Sequence, residues 1–495
     1  VRRDGTRPGS SSRLDMVCWT IATVGLALWL RSGPNARFAP LFGLVAPGLR
    51  WAVNADYRRR IRRWVAEAWE DVEAWSRGAD SIPWRAALAF AVGPYFLLQA
   101  VNGASLGTFD TRPVIPTTVS LVRQGDVDLR EFEAMRPPLL RARDDSLLYC
   151  FQDVRGRLVS SYPSGMVPLA LATVAPAYLL GADLDSAATF RHLEKGTAAA
   201  VAALALGLFF LAATRLGSPW GAIVTTVTLA FASGLLTTVG LGLWQHGGVV
   251  TWLLAALLVE FAAKGSPGRW ATAFQGFALA QMVACRPTAG LVVVAFGVWV
   301  LVRSPRRGLW LGLCGVVGLA PWLVFHRVVY GNLIGAGTIA SHTHSAWSFF
   351  ALEPMLGVLF SPARGLFVYQ PWALLAIAAI FGSRRGDAGP AGWRSFCLTA
   401  VALHVVLVAA WWEWAGGYCY GSRLLTDVLP LLALAATPVA ASLMQRRSGR
   451  AGLAVMLVVG LLVQLPCITN EAHRWNLVQP RDLWGWSTAP FFYRG

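Results

Sequence analysis

Asp110 lies in Thr108-Phe109-Asp110-Thr111-Arg112, within a turn or so of the end of an apolar run, residues 84 to 106, that is long enough to cross a bilayer. A carboxylate held at that depth, its basicity raised by partial burial, can take a proton from a sugar, Ser or Thr hydroxyl. The plainer reading is a loop aspartate paired with Arg112 or capping a turn. Asp110 is also the candidate ligand for Mg²⁺ or Mn²⁺, which take carboxylate oxygen. Three arginines form a second set, each beside Gly or Pro: Cys285-Arg286-Pro287-Thr288, Ser361-Pro362-Ala363-Arg364-Gly365 and Tyr420-Gly421-Ser422-Arg423. A guanidinium fork suits a phosphate group at the membrane surface. The alternatives for Arg286, Arg364 and Arg423 are snorkelling to lipid headgroups or pairing with Glu353, Glu413 or Asp427.

The run from Trp411 to Tyr420 places aromatics, among them Trp412, Trp414 and Tyr420, around Glu413 and a Gly-Gly pair. Interfacial belts explain some of them, and aromatic faces also suit the C–H faces of sugars. Gln245 and His246 end an apolar run and join Tyr162 as candidate substrate-lining residues. His342 and His344 have H-x-H spacing, weak for a metal without a matching carboxylate. The seven cysteines lack C-x-x-C spacing and read as packing residues.

These residues need elements to hold them, and the composition indicates which. Of the 495 residues 55% are apolar and 14% charged, too few charges to cover a soluble protein of this size. Apolar runs near 20 residues recur along the chain, as spanning helices require. The net charge of +17 would suggest nucleic acid in a soluble protein, but the basic residues collect in short loops between apolar runs, where the positive-inside bias puts them. No nucleic-acid partner is expected. The block Tyr57-Arg58-Arg59-Arg60-Ile61-Arg62-Arg63-Trp64 is therefore cytoplasmic, in an amphipathic helix. From it follow a span 84–106, a polar outer segment 107–190, and spans 191–214, 219–242, 248–263, 270–285, 288–302, 309–328, 366–382, 395–412, 425–444 and 451–469. The apolar run 166–181 is placed as an outer interfacial helix, because counting it as a span would put Arg215 and Lys264 outside. The expected fold is all-α and integral to the inner membrane, with 11–13 spans. Its expected divisions are an N-terminal region of residues 1–83 (a membrane hairpin 14–53 and a cytoplasmic helix 54–83), a catalytic domain 84–469, and an outer tail 470–495. Leu28-Trp29-Leu30-Arg31 is a poor cleavage site, so no removed signal peptide is expected.

The order of features resembles the GT-C membrane glycosyltransferases that use polyprenyl-phosphate sugars, the group of protein O-mannosyltransferases and lipid A aminoarabinose transferases. The resemblance runs from about residue 84 to 445. It is carried by Asp110-Thr111-Arg112-Pro113 with Gly125-Asp126-Val127-Asp128-Leu129-Arg130-Glu131-Phe132, by Ser161-Tyr162-Pro163-Ser164-Gly165, and by Leu243-Trp244-Gln245-His246-Gly247. Arg286-Pro287-Thr288, the stretch from Leu359 to Leu366 and the stretch from Trp414 to Arg423 complete it. It implies a GT-C-like bundle with Asp110 as the catalytic base. The chain departs from the family at two places. Gln245-His246 stand where a second acidic residue is often found, and no Lys precedes Pro163. Phosphate binding therefore falls to the arginines.

The expectation is an inverting transfer of a sugar from a polyprenyl-phosphate donor to a hydroxyl of a lipid, glycan or protein acceptor on the periplasmic or exterior side, in contact with membrane lipids. The alternatives are a transporter or flippase of a lipid-linked glycan, which should carry repeats and mid-membrane charges, and an O-antigen-ligase or polymerase-like enzyme. No cytoplasmic P-loop or G-x-G-x-x-G suggests a nucleotide site.

Overall fold

The computed structural model describes residues 48, 50–101, 109–135, 139–142, 144–335, 347–348, 351–381, 389–468, 474–478 and 480–493. Most of the expected hairpin 14–53, together with His342 and His344, lies outside them. The basic stretch forms helix α1 (Ala55–Ser76), started by Asn54, whose side chain accepts from the Tyr57 amide at 2.8 Å. Its apolar stripe Tyr57, Ala68, Val72 and Trp75 is buried, while Arg59 and Asp56 face outward as an exposed pair.

Helices α2 (Trp84–Val101) and α3 (Val114–Arg123) flank Asp110. Next come a hairpin, β1 (Phe151–Val154) and β2 (Arg157–Ser160), and then α4 (Val167–Leu179). The hairpin turns on Arg155 (φ 54°) and Gly156 (φ 79°), two left-handed residues in a row, as a tight two-residue turn requires. Among the described residues this is the sole sheet in an otherwise helical chain. The apolar run 166–181 is accounted for by α4, whose 13 residues reach about 20 Å, short of a bilayer core.

The rest of the bundle is α5 (Ala187–Thr214), α6 (Pro219–Phe231), α7 (Gln245–Ala262), α8 (Arg269–Cys285), α9 (Gly290–Arg303) and α10 (Pro305–Val329), then short α11 (Leu352–Phe360), α12 (Leu366–Tyr369) and α13 (Ala373–Phe381), and finally α14 (Trp393–Ala410), α15 (Leu429–Leu443) and α16 (Arg447–Gln464). Among the described residues six stretches are long and apolar enough to cross a membrane: Ala187–Thr214, Gln245–Ala262, Pro305–Val329, Trp393–Ala410, Arg423–Leu443 and Arg447–Cys467. The protein is an all-α, multi-pass membrane protein. In α5 83% of the apolar window is buried and in α10 only 11%, so α5 is a central helix and α10 a peripheral one.

Two expected spans are broken. The run 219–242 stops at Phe231 because Ser233 Oγ takes the Leu229 carbonyl and receives the Leu235 amide at 3.0 Å, after which Leu235–Val239 winds as a π turn. The run 366–382 breaks at Pro371, which has no amide to donate, between α12 and α13. The breaks meet: Trp372 Nε1 donates to Ala232 O at 2.8 Å.

At the end of the bundle that carries α1, Arg215 lies over the Trp75 ring (3.4 Å) and donates to Trp75 O at 2.9 Å. Close by, Arg303 and Arg307 close on the fully buried Glu260, with Arg303 Nη1 to Oε1 at 2.7 Å. Trp299 Nε1 donates to Ala391 O at 2.9 Å. The loops that the charge bias groups on the cytoplasmic side thus lie together. The opposite end holds Asp110.

Candidate active site

Asp110 precedes α3 in a turn closed by the Arg112 amide on Phe109 O at 3.1 Å. Its Oδ1 accepts from Tyr149 Oη at 2.5 Å and Tyr162 Oη at 2.9 Å, and its Oδ2 accepts from Arg423 Nη1 at 2.9 Å. Gln245 Nε2 donates to the Asp110 carbonyl at 3.3 Å. Burial pushes the carboxyl up, but the Arg423 guanidinium and the hydrogen bonds from Tyr149, Arg423 and Tyr162 outweigh it, so Asp110 lies below the ordinary aspartate range. Burial and the Asp110 charge push both phenols well above their usual value, so Tyr149 and Tyr162 stay protonated donors at neutral pH.

The second half of the site starts at α7. His246 Nδ1 donates to Asp427 Oδ1 at 2.7 Å, and Arg286 Nη1 reaches Asp427 Oδ2 at 3.0 Å and stands against the His246 ring, 2.7 Å from Nδ1 and 2.9 Å from Nε2. His404 Nε2 donates to Leu424 O at 3.0 Å. A single 3₁₀ turn, Arg423–Val428, carries both Arg423 and Asp427 and so joins the halves. Two glycines bring the elements this close. A Cβ on Gly165 would collide with the backbone of Ala284 and Cys285, and one on Gly248 with Cys285 Sγ and Met166 Sδ. The turn after Tyr162-Pro163 therefore seats directly on the end of α8, beside Arg286.

The halves enclose a cavity of about 400 Å³ lined by Asp110, Tyr149, Tyr162, Gln245, His246, Arg286 and Arg423 and, on the apolar side, Leu407, Val408 and Trp411 of the α14 region. Arg423 rests on the Trp244 ring, 4.1 Å from its centroid. Among the described residues, four side-chain atoms of lining residues are buried without a partner: Trp244 Nε1, Arg423 Nε, Thr288 Oγ1 and His404 Nδ1. Leaving a buried donor unmatched costs about 1–3 kcal/mol.

No family model and no curated protein matches the sequence. Among solved structures the chain is similar to the crystal structure of ArnT from Cupriavidus metallidurans bound to undecaprenyl phosphate, with 14% identity and a TM-score of 0.44 over 82% of this chain and 73% of that one. A likeness of that size assigns neither a reaction nor a residue to this chain.

The site residues expected from the sequence divide. Asp110, Tyr162, Gln245, His246, Arg286 and Arg423 line one cavity. Arg364, expected as a phosphate ligand, does not line it. It is 2% exposed and donates to Ala415 O (2.7 Å), Ala363 O (3.1 Å), Gly417 O (3.3 Å) and Asn476 Oδ1 (2.7 Å), with its guanidinium over Trp475. Its hydrogen-bonding capacity is taken up in fastening the aromatic loop to the tail. Trp412, Glu413, Trp414 and Tyr420 also stand away from the cavity. Trp412 is 58% exposed, Glu413 accepts from the Gly417 amide at 3.1 Å and pairs with Arg481, Trp414 packs on Gly357, and Tyr420 bonds the Val463 carbonyl. The first member of that run, Trp411, is the one that reaches the cavity.

Asp427, named from the sequence only as an alternative partner for the arginines, pairs with Arg286, and His404 belongs to the site without having been expected there; both carry a signal in the sequence, since an ionisable residue inside an apolar run needs a partner or a task. Tyr149 carries none. The residues do not suit the Mg²⁺ or Mn²⁺ suggested for Asp110. Its carboxylate faces a guanidinium, and among the described residues no three His, Cys, Asp or Glu side chains stand close enough to share an ion. Cys150 and Cys419 are unpaired thiols.

Proposed function

We propose that this protein is a membrane glycosyltransferase that moves a sugar from a polyprenyl-phosphate donor to an acceptor hydroxyl, with inversion, on the non-cytoplasmic face of the cell membrane. The observation that carries the reading is the cavity itself, which one carboxylate and two guanidinium residues line beside an apolar wall. The guanidiniums of Arg423 and Arg286 suit the donor phosphate. The apolar wall of Leu407 and Val408 belongs to a helix whose neighbouring residues Leu403 and Val406 are exposed, so a lipid-linked donor can approach from the bilayer side.

In the transfer, the acceptor hydroxyl takes the place of one donor on Asp110 and gives up its proton to the carboxylate. The oxygen attacks the anomeric carbon from the face opposite the phosphate, through an oxocarbenium-like state. The bond from carbon to phosphate oxygen breaks and its electron pair leaves with polyprenyl phosphate, whose charge Arg286 and Arg423 stabilise. Arg423 serves both anions. Once it shares its charge with the phosphate it neutralises Asp110 less, and the carboxylate becomes a stronger base when a donor is bound.

The reading is tested by reconstituting the protein in vesicles with labelled polyprenyl-phosphate hexoses and pentoses and following release of polyprenyl phosphate and the anomeric configuration of the product. Transfer with inverted configuration is expected. Activity with nucleotide sugars in place of lipid donors would overturn it.

A further inference from the structure

Asp427 is fully buried and does not line the cavity, so it cannot touch a ligand, yet it holds two residues that do. Its Oδ1 holds His246 through Nδ1 at 2.7 Å, and its Oδ2 takes Arg286 Nη1, which stands against the same imidazole, 2.7 Å from Nδ1 and 2.9 Å from Nε2. His404 Nε2 stands 3.6 Å from the same Oδ2. Arg286 itself is partly exposed to the cavity, with a side-chain exposure of 19% against 0% for Asp427. The carboxylate thus both aims the guanidinium and cancels its charge. Through the turn Arg423–Val428 it also fixes Arg286 relative to Arg423.

We infer that Asp427 is a positioning residue that sets how tightly the cavity holds a lipid phosphate, strong enough for Arg286 to bind the donor and weak enough for the departing polyprenyl phosphate to leave. The inference rests on the glycosyl-transfer reading of the cavity. An unneutralised Arg286 in this low-dielectric site would bind a phosphate dianion more tightly and let it go more slowly. The effect of Asp427 on phosphate affinity runs through the charge of Arg286, so that effect should vanish when Arg286 is neutral.

The test uses the full chain in detergent or nanodiscs, farnesyl phosphate as the probe, and the variants Asp427→Asn, Arg286→Gln and their combination. Asp427→Asn keeps the shape and removes the charge. It is expected to bind farnesyl phosphate about tenfold more tightly, a change of about 1.4 kcal/mol, and to lower kcat and KM together in turnover. Arg286→Gln should bind more weakly, and the double variant should match Arg286→Gln, a complete failure of additivity. A residue that only stabilised the fold would not tighten binding. If Asp427→Asn does not fold, the charge-balanced double variant replaces it: equality with Arg286→Gln supports the inference and a further loss overturns it. Unchanged or weaker binding in a folded Asp427→Asn, or additive effects in the double variant, also overturns it. Wild-type protein that fails to bind farnesyl phosphate would instead defeat the glycosyl-transfer reading.

Discussion

Asp110 shares its charge with Arg423, and the pH dependence should show it. The pair holds the carboxyl below its ordinary value, so in the free enzyme the base remains ionised down to acid pH. Activity needs the ionised form, so kcat/KM should stay flat through neutrality and fall only below about pH 4, while the acid limb of kcat, which reports the donor-bound state, should lie higher. Replacing Arg423 with Gln removes the lowering influence and should move the kcat/KM limb upward; a limb that stays in place would mean that Asp110 is not the titrating group. Arg364→Ala should instead lower the unfolding free energy by about 2–4 kcal/mol, read as a lower Tm, and leave donor KM unchanged in the folded fraction. Residue types at the site were legible where a charged group sat at the end of an apolar run, as with Asp110, Arg286, Arg423 and His246. Partners were not. Asp110 and Arg423 are 313 positions apart, and the local candidate Arg112 instead lies over Phe109 and donates to Leu139 O at 3.2 Å. Arg364 looked unpaired because its acceptors are mostly backbone carbonyls, which no sequence displays.

At the scale of elements, the site depends on how closely the turn after Tyr162 sits on α8. Gly165→Ala puts a methyl group into the Ala284–Cys285 backbone and should push Tyr162 away from Asp110. Transfer should fall by at least about tenfold with the protein still folded, as misplacement of about an ångström near reacting groups does; wild-type rates would show that the contact does not position the site. Apolar periodicity and length made most helices legible, because burial in lipid demands them. The breaks at Ser233 and Pro371 were harder. A serine that competes for a backbone carbonyl and a proline inside an apolar run each bend a helix only when a neighbour fills the gap, here Trp372 on Ala232. The β-hairpin escaped because its two strands have four residues each.

For the molecule as a whole, basic loops cluster at one end of the bundle and the cavity opens near the other. That separation is what the charge bias in the sequence encodes, and it suits chemistry on a lipid carrier away from the nucleotide pool. The central claim is that Asp110 accepts the proton of the hydroxyl attacking a polyprenyl-phosphate sugar. Its most direct test compares wild type with Asp110→Asn in vesicles carrying the labelled lipid donor and measures single-turnover release of polyprenyl phosphate in the presence of acceptor. The account predicts a rate lower by about 10²–10⁴-fold with donor binding retained. Full turnover by Asp110→Asn would contradict it.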